Sequence, residues 1–368
     1  MFLQKDITCQ PTGGLCDEWC AQYYKKTVGK RILIIGIEPP PFGGVSVHVQ
    51  RVSHQLLRNN TVEIIDVIKE YKKKSKLGYW FFLLQKLMTF RPQEIHYHVR
   101  FLRSGLSELF LLVAFKIIVR SRLLVIEHSA RFLYQRSHWY KFLLNRLMYF
   151  VDQQVLIGQP MVQAYQDNGI ILRNHLIESA FIEPIALYGP AIFARYPQTL
   201  HDFLARDSYV ILMNASKFGF WHDQDIYGFD FCVRLMQDFV NEPVSLIMAV
   251  GTIFDHVHGN YVQRQVSENS HVYMLVGHEQ ELWPLVQRVN MFVRPSRFDN
   301  ASVSVAEALW CGVPTVASDV TVRPPGCVLF KTGDYEDFLA KVREVYEQNA
   351  RESYYSNKKS AERPVRDA

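Results

Sequence analysis

Short apolar runs alternate with helix-length stretches along almost the whole chain, and this alternation restricts the fold more than any other feature. The runs are Arg31–Gly36, Val62–Val67, Glu94–Val99, Arg122–His128 and Gln153–Gly158. After a connecting segment they resume with Val210–Ala215, Val244–Val250, Val272–Gly277, Met291–Ser296, Thr315–Asp319 and Cys327–Lys331. Helix-length stretches such as Val47–Leu57, Gly105–Val119 and Trp139–Phe150 separate them. Short buried strands alternating with helices belong to parallel sheets covered on both faces. A chain of 368 residues has room for two cores. The expected fold is therefore α/β, with two Rossmann-like parallel-sheet domains facing a cleft, and with ligands beyond the carboxyl ends of the strands. The connection falls within Ile177–Pro190. This divides the chain into a leader extension at 1–29, a first domain at 30–185, a second at 186–349, and a polar tail at 350–368 that lacks apolar periodicity.

The formal charge of +5 conceals an uneven distribution. Residues 1–185 hold 24 Lys and Arg against 14 Asp and Glu, whereas residues 186–368 hold 17 against 22. A basic first half suits an anionic membrane surface or a lipid-phosphate acceptor. No nucleic-acid-binding motif accompanies it, so nucleic acid is not an expected partner. Within that half, Lys72, Lys73, Lys74 and Lys76 precede Tyr79-Trp80-Phe81-Phe82-Leu83-Leu84. The segment Lys69–Phe90 reads either as an interfacial helix on anionic lipid or as a sheet-packed helix with a solvated lysine end. Met1–Lys30 lacks the apolar stretch of a secretory signal. The longest apolar run, Leu109–Val119, is interrupted by Lys116 and is too short to span a bilayer. Six cysteines, Cys9, Cys16 and Cys20 among them, follow no zinc spacing and fit a reduced chain. The expected location is cytoplasmic, with peripheral attachment at the inner face of the cell membrane.

The chemistry concentrates in Phe292–Ser318, which reads strand, acidic loop, helix, Gly-Val-Pro turn, strand. Asp299 and Glu307 lie eight positions apart across the loop-to-helix junction. Ser302 is the expected N-cap, which turns the amides of Ala301, Ser302 and Val303 toward the acidic loop. Carboxylates accept hydrogen bonds from sugar and ribose hydroxyls, while a helix N-terminus holds phosphate, so the block suits a sugar carried on a diphosphate. After the first strand, Gly43-Gly44 opens a helix and lets backbone amides approach an anion. His128 closes its strand where ligands gather in parallel sheets, and Glu127 beside it points to the opposite face. His96 and His98 share one face of their strand and read as satisfied histidines of the sheet or cleft, not a metal pair. Asp223-Gln224-Asp225 reads as a solvated loop.

The acidic block resembles the signature of glycosyltransferase family 4, retaining enzymes of the GT-B fold that take sugars from nucleotide-sugar donors. The family pattern has two glutamates at the positions of Asp299 and Glu307, followed by a Gly-x-Pro turn. Here Asp299 is one methylene shorter, Glu307 matches, and Ala308-Leu309-Trp310-Cys311-Gly312-Val313-Pro314 matches the rest of the pattern. The resemblance implies that Gly43 and Gly44 form the family's glycine-rich loop and that His128 points toward the reacting sugar. Lys217 stands where the family has an arginine on the diphosphate, and Tyr227, before Gly228, stands where it has a lysine. Some polysaccharide-assembly members share this Tyr-Gly form, together with Arg294-Pro295, the Asp and Ser304-Val305-Ala306-Glu307-Ala308-Leu309. Arg294 or Arg297 is then the expected source of the second cation on the diphosphate.

The resemblance thus implies a glycosyltransferase, EC 2.4 class, that moves a sugar from a nucleotide-sugar donor to a lipid-linked or saccharide acceptor in cell-surface polysaccharide or glycolipid assembly. Catalytic candidates are His128, Lys217, Asp299 and Glu307. Donor-binding candidates are Gly43, Gly44, Tyr227, Arg294, Ala301, Ser302, Val303 and again Glu307. No metal ion or other cofactor is implied. Two alternatives stay open: a nucleotide-sugar epimerase or hydrolase of the same fold, and a donor-binding subunit without catalysis.

Overall fold

The computed structural model describes residues 28–40, 44–99, 105–128, 133–158, 160–215, 220–221, 224–251, 253, 264, 266, 269–277, 280–299 and 303–361. The chain divides into two compact units, Met1–Ile185 and Ala186–Ala368. The first unit carries strands β1 (Arg31–Gly36), β2 (Thr61–Asp66), β3 (Glu94–Val99), β4 (Arg122–Glu127), β5 (Gln153–Ile157) and β6 (His175–Glu178). Its helices are α1 (Gly44–Leu57), α2 (Val67–Lys73), α3 (Lys76–Phe90), α4 (Gly105–Val119), α5 (His138–Met148) and α6 (Pro160–Asp167). The sheet order is β2-β1-β3-β4-β5-β6 and every pairing is parallel. The order reverses between β1 and β3, which places the ligand-receptive edge of this sheet beyond their carboxyl ends.

Parallel strands must bury both faces, and two core layers do this. On one face Leu33, Ile35, Tyr97, Leu123 and Val125 pack against Tyr79, Leu83 and Leu87 of α3, Leu109 and Leu112 of α4, and Leu144 of α5. On the other, Ile32 and Ile34 pack against Val49, Val52 and Leu56 of α1. Side-chain caps start the helices where the sequence offers them. Asp66 accepts from the Lys69 amide at 2.9 Å, and Ser75 from the Gly78 amide at 3.1 Å. The segment Lys69–Phe90 is therefore two capped helices, and α3 is packed on the sheet. It also shows solvent a second apolar stripe, Leu77, Phe81, Leu84 and Met88.

The second unit carries β7 (Tyr209–Ala215), the short hairpin β8 (Phe220–Trp221) and β9 (Gln224–Asp225), β10 (Val244–Val250), β11 (Val272–Val276), β12 (Met291–Arg294), β13 (Thr315–Ser318) and β14 (Val328–Phe330). Its helices are α7 (Gly189–Phe193), α8 (Gln198–Leu204), α9 (Phe229–Asp238), α10 (Trp283–Val286), α11 (Val303–Trp310) and α12 (Tyr335–Ala361). The main sheet runs β11-β10-β7-β12-β13-β14, again all parallel. Numbered within the unit this is the dinucleotide-fold order 3-2-1-4-5-6, with its switch point between β7 and β12. Helix α12 continues to Ala361, into the segment expected to be a polar tail. Residues 350–361 contain neither Gly nor Pro, so nothing local stops the helix.

Candidate active site

The switch point of the second unit is tied together by charge. Arg294 ends β12, and its Nη1 donates to the carbonyl of Asn214 on β7 and, at 3.2 Å, to Asn214 Oδ1. Its other edge grips the acidic loop: Nε donates to Asp299 Oδ2 at 3.0 Å and Nη2 to Oδ1 at 3.4 Å. Arg323, from the loop after β13, brings a second guanidinium. Its Nη1 donates to Asp299 Oδ2 at 2.9 Å, its Nε to the Ser318 carbonyl at 2.9 Å, and its Nη2 to the hydroxyls of Ser296 and Ser318 at 3.2 Å each. The three charged side chains retain 8 %, 11 % and 1 % of their exposure at Arg294, Asp299 and Arg323. Burial pushes the Asp299 carboxyl up, but the guanidinia of Arg294 and Arg323 outweigh it and hold it below the usual range.

The pairing gives Asp299 and Arg294 a structural tie beside the donor-binding roles expected of them, because buried opposite charges satisfy each other first. Arg297 is committed as well: its guanidinium forks onto Asp230 at 2.9 and 2.6 Å and donates to the Asp225 carbonyl at 2.9 Å. Sequence reasoning missed Arg323 and Asn214. The signal for Arg323 is the Arg-Pro-Pro-Gly loop after β13, and that for Asn214 is its place near the carboxyl end of buried β7.

Asp225, expected in a solvated loop, is buried. Its Oδ1 accepts from the Tyr227 and Gly228 amides at 2.9 and 3.1 Å, and its Oδ2 from the Asp230 amide at 3.0 Å, which starts α9. Burial, then the charge of Asp230, pushes its carboxyl up to about 6, against the pull of the amides. Gly228 sits at φ +78°, and a Cβ there would lie 2.2 Å from the Pro295 carbonyl oxygen. The Tyr227-Gly228 turn can therefore lie against Arg294-Pro295 only with glycine at 228. The Tyr227 ring lies under the Arg294 guanidinium, 4.9 Å from its centroid.

Glu307 lies in α11, which Val303 opens, and is buried. Its charge and that of Glu281 add to burial in raising the Tyr196 phenol. The helix closes as the Gly-Val-Pro turn requires. Gly312 takes φ +72°, its amide donates to Leu309, and the Val313 amide reaches back to Ala308. In the first unit Gly44 opens α1, and His128 follows β4. His98 Nδ1 lies 3.1 Å from His128 Nε2, and the His48 ring approaches both. Burial, then the neighbouring imidazoles, holds His98 well below its ordinary value. Burial and the Arg51 charge hold His48 at about 4, and His128 is lowered by burial and His48. His96 is satisfied by Glu94 at 2.8 Å, as expected. Glu127 is buried, which pushes it up to about 8, offset in part by the Tyr165 hydroxyl. Gly43, Lys217, Ala301, Ser302 and Asp223 lie outside the described residues.

Two six-stranded parallel sheets with these orders are the architecture of GT-B glycosyltransferases. HepE of Anabaena, in a structure with UDP-glucose, matches with a TM-score of 0.61 at 14 % identity, over 87 % of this chain and 91 % of that one. A glycosyltransferase from Rickettsia africae matches with a TM-score of 0.62 at 12 % identity, over 87 % and 88 %. Sucrose-phosphate synthase from Thermosynechococcus elongatus matches with a TM-score of 0.58 at 14 % identity, over 87 % and 90 %. No curated protein matches the sequence. Residues 219–348 match the model of the family described as Glycosyl transferases group 1. The second unit thus carries a stretch of the Glycosyl transferases group 1 family, within a chain of GT-B fold.

Proposed function

We propose that the chain transfers a sugar from a nucleoside-diphosphate donor to an acceptor hydroxyl, with retention at the anomeric carbon, in cell-surface polysaccharide or glycolipid assembly. One observation carries the reading. The buried carboxylate of Glu307 stands on the helix that follows the arginine-tied loop, inside the group 1 stretch and beside the switch point of its sheet. A carboxylate so placed accepts hydrogen bonds from a donor ribose. The amides at residues 301–303 and the Lys217 ammonium take the diphosphate. HepE with UDP-glucose supports a nucleotide sugar as donor. In the transfer, the acceptor oxygen bonds to the anomeric carbon as the bond to the diphosphate oxygen breaks. The bonding pair leaves with the diphosphate, and the acceptor proton passes to it. His128, held neutral in its half-buried setting, orients the sugar. Asp299 and Arg294 act as positioning residues that hold the loop, and no divalent cation is needed for the leaving group.

The acceptor side fits an anionic bilayer. Among the described residues no helix is long and apolar enough to cross a membrane. Yet α3, α4 and α5 pack on one sheet face and turn Phe81, Phe110, Ile118, Trp139 and Phe142 outward. Lys72, Lys73 and Lys76 are exposed at the start of this face. Apolar side chains beside lysines are the composition of a surface that rests on acidic lipid.

The test is transfer itself, with a panel of nucleotide sugars and with lipid-linked and free saccharide acceptors. One donor should stabilise the protein, and NMR should show the donor's anomeric configuration in the product. The rate should not depend on added Mg²⁺ or Mn²⁺. Glu307→Ala should raise the donor KM about 10- to 100-fold, the loss of charge-assisted hydrogen bonds worth about 1.5–3 kcal/mol, and Lys217→Ala should lower kcat. Release of free sugar without acceptor would make it a hydrolase, and near-normal kinetics in both variants would remove the site.

A further inference from the structure

We infer that His48, His98 and His128 form a binding site for a single divalent transition-metal ion such as Zn²⁺, at the carboxyl edge of the first unit's sheet. The three come from different elements: His48 from α1, His98 from β3 and His128 from the residue after β4. One ring nitrogen from each lies within 4.8 Å of the others. The closest pair, His98 Nδ1 and His128 Nε2, is 3.1 Å apart. Two imidazole nitrogens on one tetrahedral zinc stand about 3.3 Å apart, given zinc–nitrogen bonds of about 2.0–2.1 Å. The pair is thus already at ligand spacing, and the third ring needs only a modest side-chain rotation.

The surroundings favour a ligand over a closed hydrogen-bond network. His98 is buried, its Nδ1 faces His128 Nε2, and its Nε2 finds no hydrogen-bond partner among the described residues. Both ring nitrogens of a structural buried histidine are ordinarily satisfied, so a complete hydrogen-bond set does not hold this ring. His48 Nδ1 lies 3.5 Å from the Ala180 carbonyl, the kind of outer contact that fixes a tautomer and leaves the other nitrogen free to coordinate. His48 and His98 are buried and His128 is partly exposed. Three histidines with one open position suit zinc or cobalt and not the oxygen-seeking calcium or magnesium.

The experiment titrates Co²⁺, then Zn²⁺, into the full-length protein after chelation, following visible absorption and thermal unfolding. One equivalent of Co²⁺ should give the visible bands of a tetrahedral nitrogen site, Zn²⁺ should displace it, and Tm should rise. His98→Gln and His48→Gln, each checked for native circular dichroism, should lose the bands and the shift. A variant with Cys9, Cys16 and Cys20 all changed to Ser should keep them. Absence of a saturable site, its persistence in both histidine variants, or its loss in the cysteine variant overturns the inference. The readout is the metal alone, so failure here leaves the transfer reading untouched.

Discussion

At the scale of single residues, the second unit depends on how Asp299 is held. Removing one partner of a buried ion pair costs about 3–5 kcal/mol when the other charge is stranded. Asp299 keeps Arg294, so Arg323→Met should cost about 2–3 kcal/mol, seen as a lower urea midpoint at unchanged slope. Arg323→Lys should recover little, since one ammonium cannot reach Asp299, Ser296 and Ser318 together. Gly228→Ala should destabilise by about 2 kcal/mol or more, from a left-handed alanine pressed on the Pro295 carbonyl, and should lower activity with it. Glu127 gives a pH signature. Its ordinary value is 4.5 and its folded value about 8. Between them the folded chain keeps a proton that the unfolded chain releases, so the stability it contributes is full below 4.5 and lost as pH rises through 8. Glu127→Gln should therefore raise Tm at pH 8 and change it little at pH 4. Asp299 and Glu307 were legible because their spacing and the Gly-x-Pro turn are local. Arg323 was not, because it is 24 positions from Asp299, and Asn214 is 80 from Arg294.

Among elements, strands buried on both faces were legible from their unbroken apolar runs, and most begin and end within a residue or two of expectation. The exceptions have physical reasons. β6 is short and mostly half-exposed, so its residues carry no strong pattern. The role of Asp225 depends on three amides that arrive only when the turn forms, although a glycine three positions later, just before a helical run, was a usable capping signal. Helix α3 bears out the sheet-packed reading of Lys69–Phe90 and adds an apolar stripe on its outer side. Its Tyr79, Leu83 and Leu87 face the core, while Leu77, Phe81, Leu84 and Met88 recur at the same helical interval on the outside. Phe81→Glu combined with Trp139→Glu should keep the fold, since both side chains are exposed. It should also cut cosedimentation with vesicles of acidic lipid at least tenfold, and wild-type binding should weaken with salt.

For the whole molecule, each of the five core clusters among the described residues draws its members from one unit only. A unit with its own core folds alone. Residues 186–361 expressed by themselves should show one cooperative unfolding transition and bind the donor. A molten segment, with far-UV but no near-UV circular dichroism, would show that the division is not one of stability. The buried Arg294–Asp299–Arg323 tie has a use beyond this test. Dicarbonyl reagents such as phenylglyoxal attack accessible guanidines, so the surface Arg234 should be labelled in minutes while Arg294 and Arg323 stay silent in a peptide map. The moment those two peptides gain mass would mark the opening of the donor lobe, with no substrate, cofactor or activity assay required.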